Sequence, residues 1–390
     1  MADEEDLLTK VHGLSDLELA AFLCLVNREH CIVSTPPVAL NELIEELQLI
    51  ATKTFGLTCA IVDCSPQTTL EDFASSILIA QSPTATRSGS PLRTRNDSYF
   101  YSRAGISPLT AVNAYSPTGP SGAAGSSIAN VILARNLDRA PKAVQIQVLE
   151  LLRTRRIFTR TSVQTAPKQF LFVAALGAES GGQAHVTLHL NDYFFIAHWH
   201  DPDDGFANLD EAYDKADDAE TASTESVVKK SIHEETMAVS EDPLLSEGVS
   251  ELSRGVWSPL RLTFWQDIVS LAKLSREVQV NVDELRYQMN IVTYLRMHRA
   301  VAGGIEPIAT KHLDQLLRCL APLHSLDFVT PALVHLAIRK IYLHRIRIVH
   351  AKQERSMQWG SQQEAIESIL EGVGAEDVIE DVINMVAAPL

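Results

Sequence analysis

Two rhythms of hydrophobic and polar residues alternate along the first half of this chain. Short continuous apolar runs, "HCIVS", "TCAIVDC", "VILA" and "QFLFVAAL", have the length of strands. Unbroken apolar runs mark strands buried on both faces. Between them apolar residues recur every three or four positions, the period of a helix with one buried side. "LSDLELAAFLCLVN", "LNELIEELQLIATKTFG" closed by Gly56, and "KAVQIQVLELLRTRR" follow that period, and "TLEDFASSIL" reads as a helical turn behind a Thr cap. "HVTLHLNDYFFIAHWHD" leads into a last strand. Strands alternating with helices predict a mainly parallel α/β sheet covered on both faces.

Beyond Trp257 the helical period takes over: "FWQDIVSLAKLSREV", "NVDELRYQMNIVTYLRMHRAV", "PIATKHLDQLLRCLAPL" and "TPALVHLAIRKIYLHRIRIV" predict a small all-helical domain. A final acidic helix is expected over roughly 362–386. Two stretches keep neither rhythm. Residues 82–127 are rich in Ser, Pro, Thr, Gly and Ala, and 201–256 are acidic and rich in Ser and Thr. The expected organisation is therefore an α/β core at 1–200 with a low-complexity insertion at 82–127, an acidic, disordered linker at 201–256, a helical lid at 257–352 and a closing acidic helix at 353–390.

Composition narrows the classes. A net charge of −16 argues against a general nucleic-acid binder, which needs a basic surface for phosphates. The longest apolar runs, such as "FLFVAAL", are too short to cross a bilayer. The acidic start "MADEEDLLTK" lacks the basic region of a signal peptide. Five cysteines (Cys24, Cys31, Cys59, Cys64, Cys319) form no CxxC pair, and their odd number suits reduced thiols. The expectation is a soluble protein of the cytoplasm, with the nucleus left open.

The candidate chemistry begins at "VILARNLDRAPKAVQIQVLELL", where a buried strand runs straight into Arg135, Asn136 and Asp138 and then a helix. This stretch, with Arg139, Ala140, Pro141 and Gln145, resembles the second acidic motif of AAA+ proteins of the MoxR and magnesium-chelatase ATPase-subunit (subunit I-like) group. "GGIEPIATKHLDQLLRCLAPLHSLDFVTPALVHLAIRKIYLHR" is similar to that group's lid, with Asp327 to Pro331 and His344–Arg345 at matching places. The resemblance implies a P-loop-type parallel core followed by a helical lid, working as an ATPase within a ring.

At the positions that carry chemistry the chain departs from that pattern. The resemblance places the phosphate loop at "CIVSTPPVALNELIEEL", where Pro36 and Pro37 after Thr35 keep the family's double proline but the usual glycines are absent. There the Lys and Thr positions hold Asn41, which brings no cation, and Glu42, which sets a carboxylate against phosphates. The metal-associated Asp falls on Arg135, which cannot ligate a cation, and the water-activating Glu on Asn136, which cannot act as a general base. Asp138 is a possible substitute carboxylate. The sensor position holds Gly177, the position that supplies an arginine to a neighbouring subunit holds Tyr193, and the lid arginine is replaced by Ile308. An arginine finger alone is worth ~10³ to 10⁵ in rate. Losing all of these together predicts a module without ATP hydrolysis.

Three other features allow a sharp and a bland reading. Arg153, Arg155, Arg156 and Arg160 could bind a partner, but cations also favour a helix C-terminus. Arg135 and Arg139 could bind an anion, with salt bridges to the acidic linker the favoured alternative. His198 and His200 share one strand face beside Asp201, with His185 and His189 nearby, but no Cys pair completes a zinc set, so no metal is expected. The aromatic "YFYSRAG" of the insertion could dock a partner.

The leading expectation is a degenerate AAA+ scaffold or regulatory subunit, binding no cofactor. Its partners would be proteins, either an active AAA+ paralogue or further copies in a ring, and neither nucleic acid nor membrane. The alternative is a working magnesium-chelatase or MoxR-type ATPase using ATP and Mg²⁺. Asn41, Glu42, Arg135 and Asn136 discriminate between the two.

Overall fold

The computed structural model describes residues 8–80, 126–159, 162–179, 186–211 and 259–389. The low-complexity insertion, most of the acidic linker, "YFYSRAG", Arg160 and His185 lie outside them.

The core is a five-stranded sheet in the order β2-β5-β8-β1-β9, with every neighbouring pair parallel. Its strands are β1 (His30–Thr35), β2 (Cys59–Asp63), β5 (Val131–Arg135), β8 (Leu171–Gly177) and β9 (Phe194–Trp199). Alternate residues feed two separate cores. Cys31, Val33, Leu133, Val173 and Ala175 face one side, while Ile32, Val62, Ile132, Ala134, Phe172 and Ala174 face the other. The unbroken apolar runs of the sequence have this origin, since both faces of a parallel sheet are covered.

Helices α1 (Asp16–Asn27) and α2 (Leu40–Leu49) cover the first face. The second is covered by α3 (Leu70–Ser76), α4 (Lys142–Thr154) and the short α5 (Leu188–Asn191). α3 starts at a capping box in which Thr69 and Asp72 satisfy each other's backbone N–H groups. On α2 the buried Glu46 accepts from the Asn208 and Leu209 amides, so it caps the turn that begins at 207.

Two hairpins that the hydrophobic pattern does not predict project from the core. β3 (Leu78–Ala80) pairs with β4 (Ser126–Ile128), and β6 (Arg156–Phe158) with β7 (Val163–Thr165). Each strand is three residues long, too short for a period to register.

The lid comprises α6 (Pro259–Glu277), α7 (Val282–Met297), α8 (Pro307–Leu323) and α9 (Pro331–Tyr342). Its core is continuous with the first sheet face, and Phe264 of α6 packs edge-on against Phe22 and Phe55, ring centroids 5.2 and 4.5 Å apart. β10 (Val301–Gly303) and β11 (Arg347–Ile348) pair antiparallel, so α7 and α9 stop earlier than the apolar pattern implies. The single closing acidic helix is corrected to two, α10 (Gln363–Leu370) and α11 (Ala375–Met385). The break is at Gly372, where φ is +75°, followed by Gly374 at the next N-cap.

Candidate functional site

In an open parallel sheet the crevice beyond the strand tips, where strand order reverses, is the expected ligand site. Here the tip of β1 lies between those of β8 and β9, and β1 leads into Pro36, Pro37 and Val38. Neither proline carries an N–H, and the Ala39 amide is spent within the turn, donating to the Pro36 carbonyl at 3.0 Å. Thr35 is fully buried and its hydroxyl donates to the His200 carbonyl at 3.1 Å, turned into the sheet. Asn41 and Glu42 follow, exposed, on the first turn of α2.

Arg135 ends β5 and reaches across this cleft. Its guanidinium donates to Asn41 Oδ1 and lies 3.4 Å from Asp63 Oδ1 at the tip of β2. The phosphate-lysine and metal-aspartate positions thus hold each other directly. Among the described residues the partners of Arg135 are Asn41 and Asp63, the expected bridges to the acidic linker fall largely outside those residues, and Arg139 is exposed.

Asn136 adopts a left-handed conformation (φ 53°, ψ 43°), and its amide donates to the Ala175 carbonyl at 2.8 Å. Leu137–Arg139 form a 3-10 turn, and the buried Gln145 holds it through the carbonyls of Asp138 and Ala140. Asp138 Oδ1 is buried with no partner among the described residues.

Gly177 closes β8 beneath Pro37. A Cβ at position 177 would lie 3.4 Å from Pro37 Cα and Cγ, so Pro37 packs directly over Gly177. Tyr193 follows α5, its amide bonded to Leu190 and its ring packed against the second core. Ile308 is half-buried on the first turn of α8. Of the sequence-predicted residues, the fold brings Thr35, Pro37, Asn41, Arg135, Asn136 and Gly177 into one cleft. These residues do not fit ATP and Mg²⁺: no cation stands at 41, no carboxylate at 135 or 136, and no glycine in the loop after β1.

Hydrophobic patterning gives no sign of a second polar cluster, which joins core to lid. Arg345 is 1% exposed and donates to the Phe194 carbonyl at 2.5 Å and to His312 Nδ1 at 2.7 Å. Asn191 Nδ2 donates to the His344 carbonyl at 2.7 Å. Glu29 lies 3.8 Å from the far side of the His312 ring. Burial raises the Glu29 carboxyl to about 6, and burial with the Arg345 charge lowers His312 to about 3. The one advance signal was the His344–Arg345 dipeptide, which from sequence is indistinguishable from an exposed pair.

The remaining candidates are dispersed. Arg155 is a left-handed helix cap donating to the Arg28 carbonyl at 3.1 Å, while Arg153 and Arg156 are exposed. The rings of His198 and His200 are buried with centroids 6.3 Å apart, and His189 is exposed on α5. No helix among the described residues is long and apolar enough to cross a membrane.

Comparisons with known proteins agree with this architecture. The model of the AAA lid domain matches residues 293–369. A candidate ATPase from Cytophaga hutchinsonii superposes with a TM-score of 0.58 at 12% identity, over 100% of this chain and 98% of that one. A full-length MCM homologue from Methanopyrus kandleri gives 0.40 at 10% identity, over 88% of this chain and 61% of that one. A stretch of 111 residues is 24% identical to the maintenance of telomere capping protein 2 of Kluyveromyces lactis. That match covers 27% of this chain and 40% of the relative, less than half its length. The chain thus has a parallel α/β core followed by a helical domain that matches the AAA lid domain model over 293–369.

Proposed function

We propose that this chain is an AAA+ module of the MoxR and magnesium-chelatase type that no longer hydrolyses ATP and acts as a scaffold or regulatory subunit. One observation carries the reading: Arg135 spans the cleft to Asn41, where a working site needs a carboxylate on one side and a lysine on the other. Gly177 supports it, because the position the resemblance assigns to a polar sensor carries no side chain. What remains is a rigid body with an intact core–lid joint, suited to joining a ring beside active paralogues or copies of itself. Fold alone does not establish an activity. The name of the Kluyveromyces lactis relative makes telomere-capping proteins the first partners to test. Cytoplasmic residence, or nuclear if that partner class holds, belongs to the same proposal.

The test is a calorimetric titration of the full chain with ATP and Mg²⁺, with phosphate release measured alongside. The expected outcome is no binding at millimolar ATP and no release. Hydrolysis abolished by Asp138→Ala would overturn the reading in favour of the active-ATPase alternative. That alternative draws its one support from the unpartnered, buried oxygen of Asp138.

A further inference from the structure

A cavity of about 500 Å³ opens between the first helix and the lid, and none of the cleft residues line it. Leu19 and Leu23 of α1 and Leu316 and Leu320 of α8 form its apolar wall, while His198 of β9 and Lys340 of α9 supply polar groups. Its size, its position between two domains and its few polar groups among apolar ones are those of a small-molecule site.

The polar groups define what would fit. Lys340 Nζ lies 3.1 Å from His198 Nδ1. An ammonium only donates, so Nδ1 accepts and the ring proton sits on Nε2. His198 is 7% exposed, and its Nε2 has no partner among the described residues. Burial holds the His198 pKa down to about 4, which keeps the ring neutral and Nδ1 open to the lysine. Lys340 retains two N–H groups that His198 does not use. Asp16 also lines the cavity and its carboxylate favours the charged form of Lys340, against the burial that lowers the lysine's pKa; it is exposed on the first turn of α1 and makes no salt bridge to Lys340 among the described residues, and His12 and His324 complete the titratable lining. A partly buried cation with no carboxylate in direct contact, set in a wall of leucines, leaves a place for an anion brought in by a ligand.

We propose that this cavity binds a monocarboxylate with an apolar tail, the carboxylate accepting from Lys340 and the tail lying along the leucines of α1 and α8. His198 is a positioning residue that aims the ammonium. The site is independent of the nucleotide cleft, so it stands or falls separately from the loss of hydrolysis.

Calorimetry on the full chain tests this with decanoate, decanol and decyltrimethylammonium. Decanoate is expected to bind one-to-one, decanol at least about ten-fold more weakly, and the cation not at all. Lys340→Met should keep the thermal midpoint within a few degrees and lose at least about ten-fold in decanoate affinity. Leu320→Trp, which fills the cavity, should abolish binding. Equal affinity for decanoate and decanol, unchanged binding by Lys340→Met, or no decanoate binding would overturn the proposal. So would binding only after removal of residues 1–7, which would make the chain's own N-terminus the occupant.

Discussion

Two arginines mark two contrasting regions of this molecule. Arg135 lies in the cleft at the strand tips, its side chain 33% exposed, against an asparagine and an aspartate that is 74% exposed. Arg345 lies at the core–lid joint, 1% exposed, bonded to a main-chain carbonyl and a histidine. At the cleft, charged and polar groups meet each other in partial contact with water. At the joint, polar groups are buried and bonded across two domains, an arrangement costly to disturb. The cohesion of this chain resides at the joint, and the cleft contributes little to it.

Acid is the broadest way to break that contrast. His30 and His312 are held at about 3 and His198 at about 4. The fold holds these rings neutral; the His30 Nδ1 accepts the Phe172 amide and the His312 Nδ1 faces a guanidinium. As pH falls through the ordinary histidine value near 6.5, the unfolded chain takes up protons that the folded chain refuses, and stability drops. By pH 5 each ring gives up about 2 kcal/mol. Glu29, raised to about 6, acts in the opposite sense, because its protonated form buries more easily. It costs stability above pH 6 and returns about 1 kcal/mol on acidification. Urea midpoints at pH 7.5 and 5 should therefore show a net loss, and His312→Gln should flatten it.

A single methyl group should come next in size. Gly304 has φ +105°, and a Cβ there would lie 1.7 Å from the Arg345 carbonyl oxygen. Gly304→Ala is expected to cost about 4 kcal/mol or more, read as a lowered thermal midpoint or as insoluble protein. Arg345→Met should cost about 3 kcal/mol, since it leaves the Phe194 carbonyl and His312 buried without their donor. At the cleft, Arg135→Ala should change stability by less than about 1 kcal/mol, as half-solvated ion pairs do. A cost above about 3 kcal/mol there would erase the distinction between the two regions.

The smallest expected effect is functional. Asn41→Lys, Glu42→Thr, Arg135→Asp and Asn136→Glu combined should leave phosphate release at the background rate, because the loop after β1 still lacks the glycines of a phosphate cradle. Release restored by these four changes would show that side chains alone separate this cleft from a working one.

The sheet was legible because its strands are buried on both faces, and residues such as Ile132 and Leu133 leave no polar interruption. The lid helices were legible from their period, but their ends were not. Nothing in the apolar spacing of "IYLHRIRIV" shows that Arg347 leaves the helix to pair with Gly303. The positions of the cleft residues were legible from the motif frame. The reach of Arg135 to Asn41 and the seat of Pro37 on Gly177 depend on side-chain direction, which a linear pattern does not encode. Lys340, and the burial of Arg345, were missed for the same reason: a cation turned inward reads in the sequence like one facing water.

Gln145 has a mechanical consequence. Its amide group grips the turn after β5, and its oxygen accepts the Thr187 amide. The Thr187 carbonyl accepts from the Asn191 amide, and the Asn191 side chain donates to the His344 carbonyl in the lid. A tether of hydrogen bonds therefore runs from the cleft to the lid through main chain and two fixed amides. Force applied by a partner at the strand tips has a stiff route into the lid, with no fuel needed to keep that route taut.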